Sequence, residues 1–276
     1  VIKRLVSSLC VVAFWIFARA AAFADYQGAV LSDSPLAYFR LQEASGTVMT
    51  NLGSYAGQGV FSNTNKVAFG ITGPLEVDNR AVSLSPGGWL AVNGSSSLVH
   101  DNHDFTVEAW VRPRTNGMVN ILSFRDAFQV NDYQFYLNSG NKMNVWNGTA
   151  GANISSQTVS YNTDGSAWYH LVWTRSNNVL RSYFNGAQVG SDVSNGASFS
   201  SPGASYSYRM GTAGADGFET QFLNGDVDEL AFYDYALSSA RVLSHFAIPE
   251  PSTLALAGLG AASLLTACLP RRRGAP

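Results

Sequence analysis

Cysteine is almost missing from this chain. Its 276 residues include two, Cys10 and Cys268, each inside an apolar run near one end. With both runs read as targeting segments, the domain between them has no thiol, which excludes a disulfide framework, a structural zinc site and a cysteine nucleophile. Charge is also scarce: 13% of residues are Asp, Glu, Lys or Arg, well below the share usual in soluble domains. The surface must therefore be polar without being ionic. A formal net charge of −2 offers no electrostatic footprint for nucleic acid. The four histidines (His100, His103, His170 and His245) fall in no catalytic signature, although His100 and His103 flank Asp101 and Asp104 in a turn. His-Glu-x-x-His, Gly-x-Ser-x-Gly, P-loop and dinucleotide fingerprints are all absent. Helical periodicity is lacking outside the ends, except at Leu237 to Phe246, where Ser238 or Ser239 can cap a short terminal helix.

The two ends read as processing segments. Lys3 and Arg4 precede a 13-residue apolar run from Leu5 to Phe17, and Ala22-Phe23-Ala24 supplies small residues for cleavage before Asp25. Residues 1–24 are thus expected to be a secretory signal peptide. At the other end, Pro249-Glu250-Pro251 leads into a charge-free stretch, and Ser252 to Leu269 is 18 residues long, inside the roughly 17–25 that span a bilayer. Arg271, Arg272 and Arg273 follow and belong on the cytoplasmic side. This three-part tail, residues 249–276, resembles the PEP-CTERM sorting signal of Gram-negative bacteria. The resemblance implies processing by an exosortase near the motif, transient anchoring of helix 252–269 in the inner membrane, and delivery to the outer surface or an extracellular matrix rich in exopolysaccharide.

Between the ends, residues 25–248 carry 11 basic and 18 acidic side chains, a net charge near −7. Period-2 alternation recurs through them. Phe105, Val107, Ala109 and Val111 share one face of a strand, Thr106, Glu108, Trp110 and Arg112 the other, and Pro113 ends it. Glu108 is expected either inside, paired with an arginine, or at the rim. Tyr169, Leu171 and Trp173 alternate with His170, Val172 and Thr174. Val179 to Phe184, Asn185-Gly186 and Ala187 to Val189 form a hairpin with a type I′ turn. Six Asn-Gly dipeptides support many short antiparallel strands in one domain.

Four landmarks occur in order: Leu36-Ala37-Tyr38-Phe39-Arg40-Leu41-Gln42-Glu43-Ala44-Ser45-Gly46, Phe105 to Val111, Trp168 to Gly186, and Phe222 to Leu230 running on to Ala236-Leu237-Ser238. Together they resemble bacterial laminin-G-like, concanavalin A-like domains. The fold implied is all-β, a two-sheet antiparallel jelly-roll sandwich, which the alternation supports independently. Trp110, Trp168 and Trp173 read as packing residues.

Catalysis of the laminarinase type requires two carboxylates about 5 Å apart on one strand face. Asp226 and Asp228 share a face, but Ala231 stands where the second glutamate belongs. The chain is therefore expected not to be an enzyme; a jelly-roll glycoside hydrolase or polysaccharide lyase is the weaker alternative. Binding of carbohydrate or exopolysaccharide is expected, with a purely structural or adhesive matrix role as the other reading. Tyr133, Tyr206, Tyr208, Asn162 and Asn177 are expected on the surface, where they suit glycan contact. The family resemblance also implies a rim site for Ca²⁺ near the loop from Glu43 to Asn51 and the Asp-Glu of the last strand. Asn51, Asp228 and Glu229 are the ligands it nominates, with Asn51 where an aspartate is usual. Strict alternation would send Asp228 and Glu229 to opposite faces, Glu229 inward with Val227 and Ala231. A buried carboxylate there must meet an arginine or a cation.

Overall fold

The computed structural model describes residues 25–75, 79–93, 98, 103–115, 117–124, 133–194, 207–213 and 219–248. The expected signal peptide, the sorting tail with Pro249, Glu250, Pro251, Arg271, Arg272 and Arg273, and also His100 and Tyr206, lie outside the described residues.

Alternating sequences pair into two eight-stranded antiparallel sheets. The first is built from β1 (Ala37–Phe39), β4 (Val67–Thr72), β5 (Arg80–Leu84), β7 (Phe105–Pro113), β12 (Tyr169–Ser176), β13 (Val179–Phe184), β14 (Ala187–Ser194) and β16 (Gly225–Tyr233). Its order is β14-β13-β12-β7-β16-β5-β4, and β1 also pairs with β16. The second contains β2 (Val48–Met49), β3 (Gly59–Ser62), β6 (Trp89–Val92), β8 (Val119–Phe124), β9 (Tyr133–Asn138), β10 (Lys142–Asn147), β11 (Ala152–Thr158) and β15 (Tyr208–Met210), in the order β11-β10-β9-β8-β15-β6-β3-β2.

The inward residues of both sheets form the main core. Phe105, Val107, Ala109 and Val111 of β7 meet Leu171 and Trp173 of β12 and, across the sandwich, Ile121, Phe135, Leu137 and Val145. Tyr133 and Tyr208, expected on the surface, belong to this core and are fully buried. Each follows the period of its own strand, so the position on the pleat prevails over the polar tip. Asn162 and Asn177 are exposed as expected.

The outer face of the first sheet is covered as well. Helix α1 (Tyr26–Ser32), where the sequence shows no helical period, starts at an Asp25 cap that accepts from the Gly28 amide at 2.5 Å. Seven residues are too short to show periodicity, so the helix owes its stability to packing. Helix α2 (Ser239–Phe246) starts at Ser238, whose hydroxyl accepts from the Arg241 amide at 3.2 Å. Tyr26, Val30, Leu237 and Val242 lie with Tyr38, Trp110, Val172 and Tyr233 of the sheet in a second apolar cluster.

The hairpin between β13 and β14 turns at Asn185 (φ 51°) and Gly186 (φ 77°), the positive pair that a type I′ turn needs. A Cβ at Gly186 would lie 2.8 Å from the Cβ of Phe246 on α2. Gly186→Ala therefore meets both backbone strain and the helix, and urea unfolding is expected to show a loss of at least about 1–2 kcal/mol. An unchanged midpoint would disprove the packing of α2 on this turn.

Candidate functional site

Strand β16 changes partner halfway along one edge. Gly225, Asp226 and Val227 pair with β5, while Leu230, Ala231 and Phe232 pair with β1. Between them, against β7, the register shifts between Asp228 and Ala231. Glu229 takes the left-handed conformation (φ 53°), so the strand carries a β-bulge. The bulge corrects the face assignment made from strict alternation. Val227 and Leu230 lie in the main core, whereas Ala231 and Tyr233 belong to the outer cluster. One extra residue resets the period, and Glu229 emerges on the outer side, where β1 and the segment before β5 reach it.

There Glu229 finds the arginine that its burial requires. The Arg40 Nε and a terminal guanidinium nitrogen each lie 3.1 Å from its Oε1, and Asn79 Nδ2 donates to the same oxygen at 3.3 Å. The Tyr38 hydroxyl donates a short hydrogen bond to Oε2. Asp228 is also fully buried; the Asn79 side chain and the Glu229 backbone amide lie beside its oxygens, but neither makes a well-formed hydrogen bond to them. Burial, reinforced by the neighbouring Glu229 charge, pushes its pKa well above the usual carboxylate range. Gly73 completes this niche: a Cβ there would fall 1.7 Å from Asn79 Oδ1 and 2.7 Å from Asp228 Oδ2.

Asn51 lies elsewhere in this neighbourhood and is fully engaged. Its Oδ1 accepts from the amides of Tyr38 and Gly53, both at 2.9 Å, and its Nδ2 donates to the Tyr55 carbonyl at 2.7 Å. Both lone pairs of the amide oxygen are thereby used. Asn51 ties the loop after β2 to β1 and does not join the pair on β16. Beside it a cleft of about 320 Å³ is lined by Arg40, Gln42, Glu43, Thr50 and Leu52. Glu43 Oε1 accepts from the Thr50 amide at 2.7 Å, and Oε2 is enclosed without a partner. Gln42 accepts from the Arg80 amide and donates to the Arg80 carbonyl, holding the opposite wall. Asp226, the other carboxylate on this strand face, is engaged by Arg112 at 2.6 Å and by Arg114.

A second polar assembly lies beneath the helices. Glu108 is interior, but its partners are histidines and tyrosines and not the arginine expected. It accepts from Tyr26 at 2.6 Å and from Tyr233 at 3.3 Å, and it contacts His170 Nε2 at 2.8 Å and His245 Nδ1 at 3.0 Å. His245 Nε2 reaches Asp33 at 3.0 Å, and Arg241 binds Asp33 and the Ala29 carbonyl. Burial alone would raise the Glu108 pKa, but His245 and His170 outweigh it and hold the carboxyl well below its usual range. Burial alone would lower that of His245; the Glu108 charge and hydrogen bond reverse this and raise it. Tyr26, Glu108, His170, Tyr233 and His245 are all buried. The network fastens α1 and α2 to the sheet.

A two-sheet antiparallel sandwich of this order, with a polar cleft at its rim, defines a concanavalin A-like class of domain. More particularly, the chain belongs to the concanavalin A-like lectin/glucanases superfamily, whose laminin-G-type model matches residues 85–243. It also carries a PEP-CTERM protein-sorting motif over residues 247–273. Among solved structures, domain 4 of a GH43 extracellular arabinanase from Geobacillus stearothermophilus, in complex with arabinotriose, is similar at 19% identity and a TM-score of 0.57, covering 77% of this chain and 98% of that one. The binding domain of Paraclostridial mosquitocidal protein 1 matches at 16% identity and a TM-score of 0.54, over 78% of this chain and 52% of that one. Trypanosoma rangeli sialidase matches at 15% and 0.54, but this chain spans only 32% of its length. No curated protein sequence matches the chain.

The opposed shifts of Glu108 and His245 set a stability optimum. The raised His245 contributes fully below its unfolded pKa of about 6.5 and loses its contribution as pH rises through the folded value. The depressed Glu108 contributes above about 4.3 and loses its contribution as pH falls. Thermal melts are expected to peak between these values and decline on both sides. Glu108→Gln leaves the histidines without their counter-charge; it is expected to cost about 3–5 kcal/mol and to flatten the alkaline limb. A variant with the wild-type profile would show that the network does not couple to folding.

Proposed function

We propose that this protein is a carbohydrate-binding component of a bacterial surface or exopolysaccharide matrix. In this reading it is exported by a Gram-negative cell, held for a time in the inner membrane through 252–269, and released by an exosortase acting near Pro249. The observation that carries the reading is the union, in one chain, of a lectin-type sandwich with an exosortase sorting motif. The negative balance of residues 25–248 disfavours long-range attraction to acidic polymers and nucleic acid.

Calcium is part of the proposal. What invites a cation is the carboxylate of Asp228, buried beside that of Glu229, with the Asn79 amide packed against Gly73 next to it. Among the described residues no three acidic or histidine side chains converge on such a site. Asp228 and Glu229 would therefore supply the charge, and amide or backbone oxygens the remaining ligands. When bound, the ion would neutralise Asp228 and stiffen the junction of β1, β5 and β16.

Two measurements test this. Exported protein passed over immobilised polysaccharides is expected to be retained by at least one of them; failure on every polymer would leave a purely structural matrix role. Calcium at a hundred times its dissociation constant is expected to stabilise the protein by about 2.7 kcal/mol, with EDTA lowering the melting temperature. Asp228→Asn should abolish that response. Identical melting in EDTA and in millimolar calcium would leave Arg40 as the counter-charge for Glu229 and a proton on Asp228.

A further inference from the structure

We infer that the terminal helices form a clasp that governs release: the processing enzyme reaches the sorting motif only when α2 leaves the sheet. The inference rests on the exosortase reading above and goes beyond it by naming a control built into the fold.

Position is the first observation. The sorting motif begins at residue 247, and Ala247 is also the C-cap of α2, so motif and folded domain meet without a linker. Phe246 stacks on Trp110 with ring centroids 5.9 Å apart and lies over His170 at 6.1 Å. Ile248 packs against the same outer cluster. The residue before Pro249 is therefore held on the first sheet.

Chain length makes that hold consequential. From Ile248 to Ser252, where the charge-free run begins, a fully extended backbone reaches at most about 14 Å. This scarcely exceeds the width of one helix with its side chains, about 10–12 Å. In the membrane-held form, an enzyme that must close around the backbone beside the motif has no room between sandwich and bilayer. With α2 released, the reach from Ser238 to Ser252 grows to about 50 Å, more than the ~30 Å diameter of a small domain.

How α2 is held is the second observation. A helix of eight residues is not stable alone in water, so α2 gives up its helical form when it leaves the sheet. Its docking converges on one carboxylate supplied by the segment after α1. Asp33 accepts from Arg241 Nε, lies 3.0 Å from His245 Nε2, and its carbonyl accepts from the Tyr235 hydroxyl at 2.7 Å. Arg241 also donates to the Ala29 carbonyl at 2.6 Å and to Ser32 Oγ at 2.7 Å. Residues 29–33 thus decide how firmly the residues before the motif stay docked. The Arg241 and Asp33 side chains are 31% and 16% exposed, so water competes for this ion pair. α2 packs on the outer cluster and contributes nothing to the main core, so the clasp opens by local unfolding while the sandwich stays folded.

The test follows conversion of the full chain to its released form by pulse-chase in the exporting host. Three variants are compared with the wild type: a flexible Gly-Ser spacer of about ten residues inserted between Ile248 and Pro249, Asp33→Ala, and the two combined. The spacer is expected to raise the rate of conversion about fivefold or more, and Asp33→Ala to raise it about as much. The combination is expected to add nothing to the spacer alone, because slack already supplied makes opening of the clasp unnecessary. The spacer leaves every residue of the clasp in place, so it keeps the test open if Asp33→Ala fails to fold. A spacer variant converted at the wild-type rate would overturn the clasp and leave the exosortase reading standing. So would an Asp33→Ala effect that persists in full on top of the spacer, which marks general destabilisation. No conversion of the wild-type chain would overturn the exosortase reading and the clasp together.

Discussion

A carboxylate in the left-handed region of a central strand is the constraint on which this end of the molecule depends. Glu229 is buried, and a buried carboxylate must have a counter-charge or take up a proton. Arg40 supplies it at 3.1 Å, with Tyr38 and Asn79 completing the shell. To reach them, β16 inserts an extra residue. That residue resets the inward and outward periods of Leu230 to Tyr233 and marks where β16 exchanges β5 for β1. The rim cleft follows from the same geometry, because Arg40 both neutralises Glu229 and lines the opening. Asp228, held in place by the same bulge, is left without a well-formed hydrogen bond.

The two outer faces of the sandwich differ in chemistry. On the first sheet, Trp110, Val172, Ala231 and Tyr233 are capped by the terminal helices, and Glu108 binds both through Tyr26 and His245. The residues from Asp25 onward and those that precede the sorting motif are therefore anchored as one layer. On the second sheet, the corresponding positions are Gln134, Tyr136, Asn144 and Trp146. That face is polar and yet closely packed, with Gln134, Tyr136 and Asn144 all buried.

The sequence alone determined the class of fold. Alternation at Phe105 to Val111 and Tyr169 to Trp173, the Asn185-Gly186 turn and the Ser238 cap depend on local stereochemistry, and each is found where the pattern places it. The lack of cysteine between residues 25 and 248 and the alanine at position 231 were equally plain, since they need only the identity of a residue. Only the tertiary structure decided the rest. A bulge is a two-for-one mismatch between paired strands, so the face of Glu229 was undefined until β7 lay beside β16. The partners of Glu108 come from residues up to 137 positions away, and their histidine and tyrosine chemistry is invisible to any local pattern. Tyr133 and Tyr208 turned inward for the same reason: burial is a property of the neighbour across the sandwich and not of the residue itself.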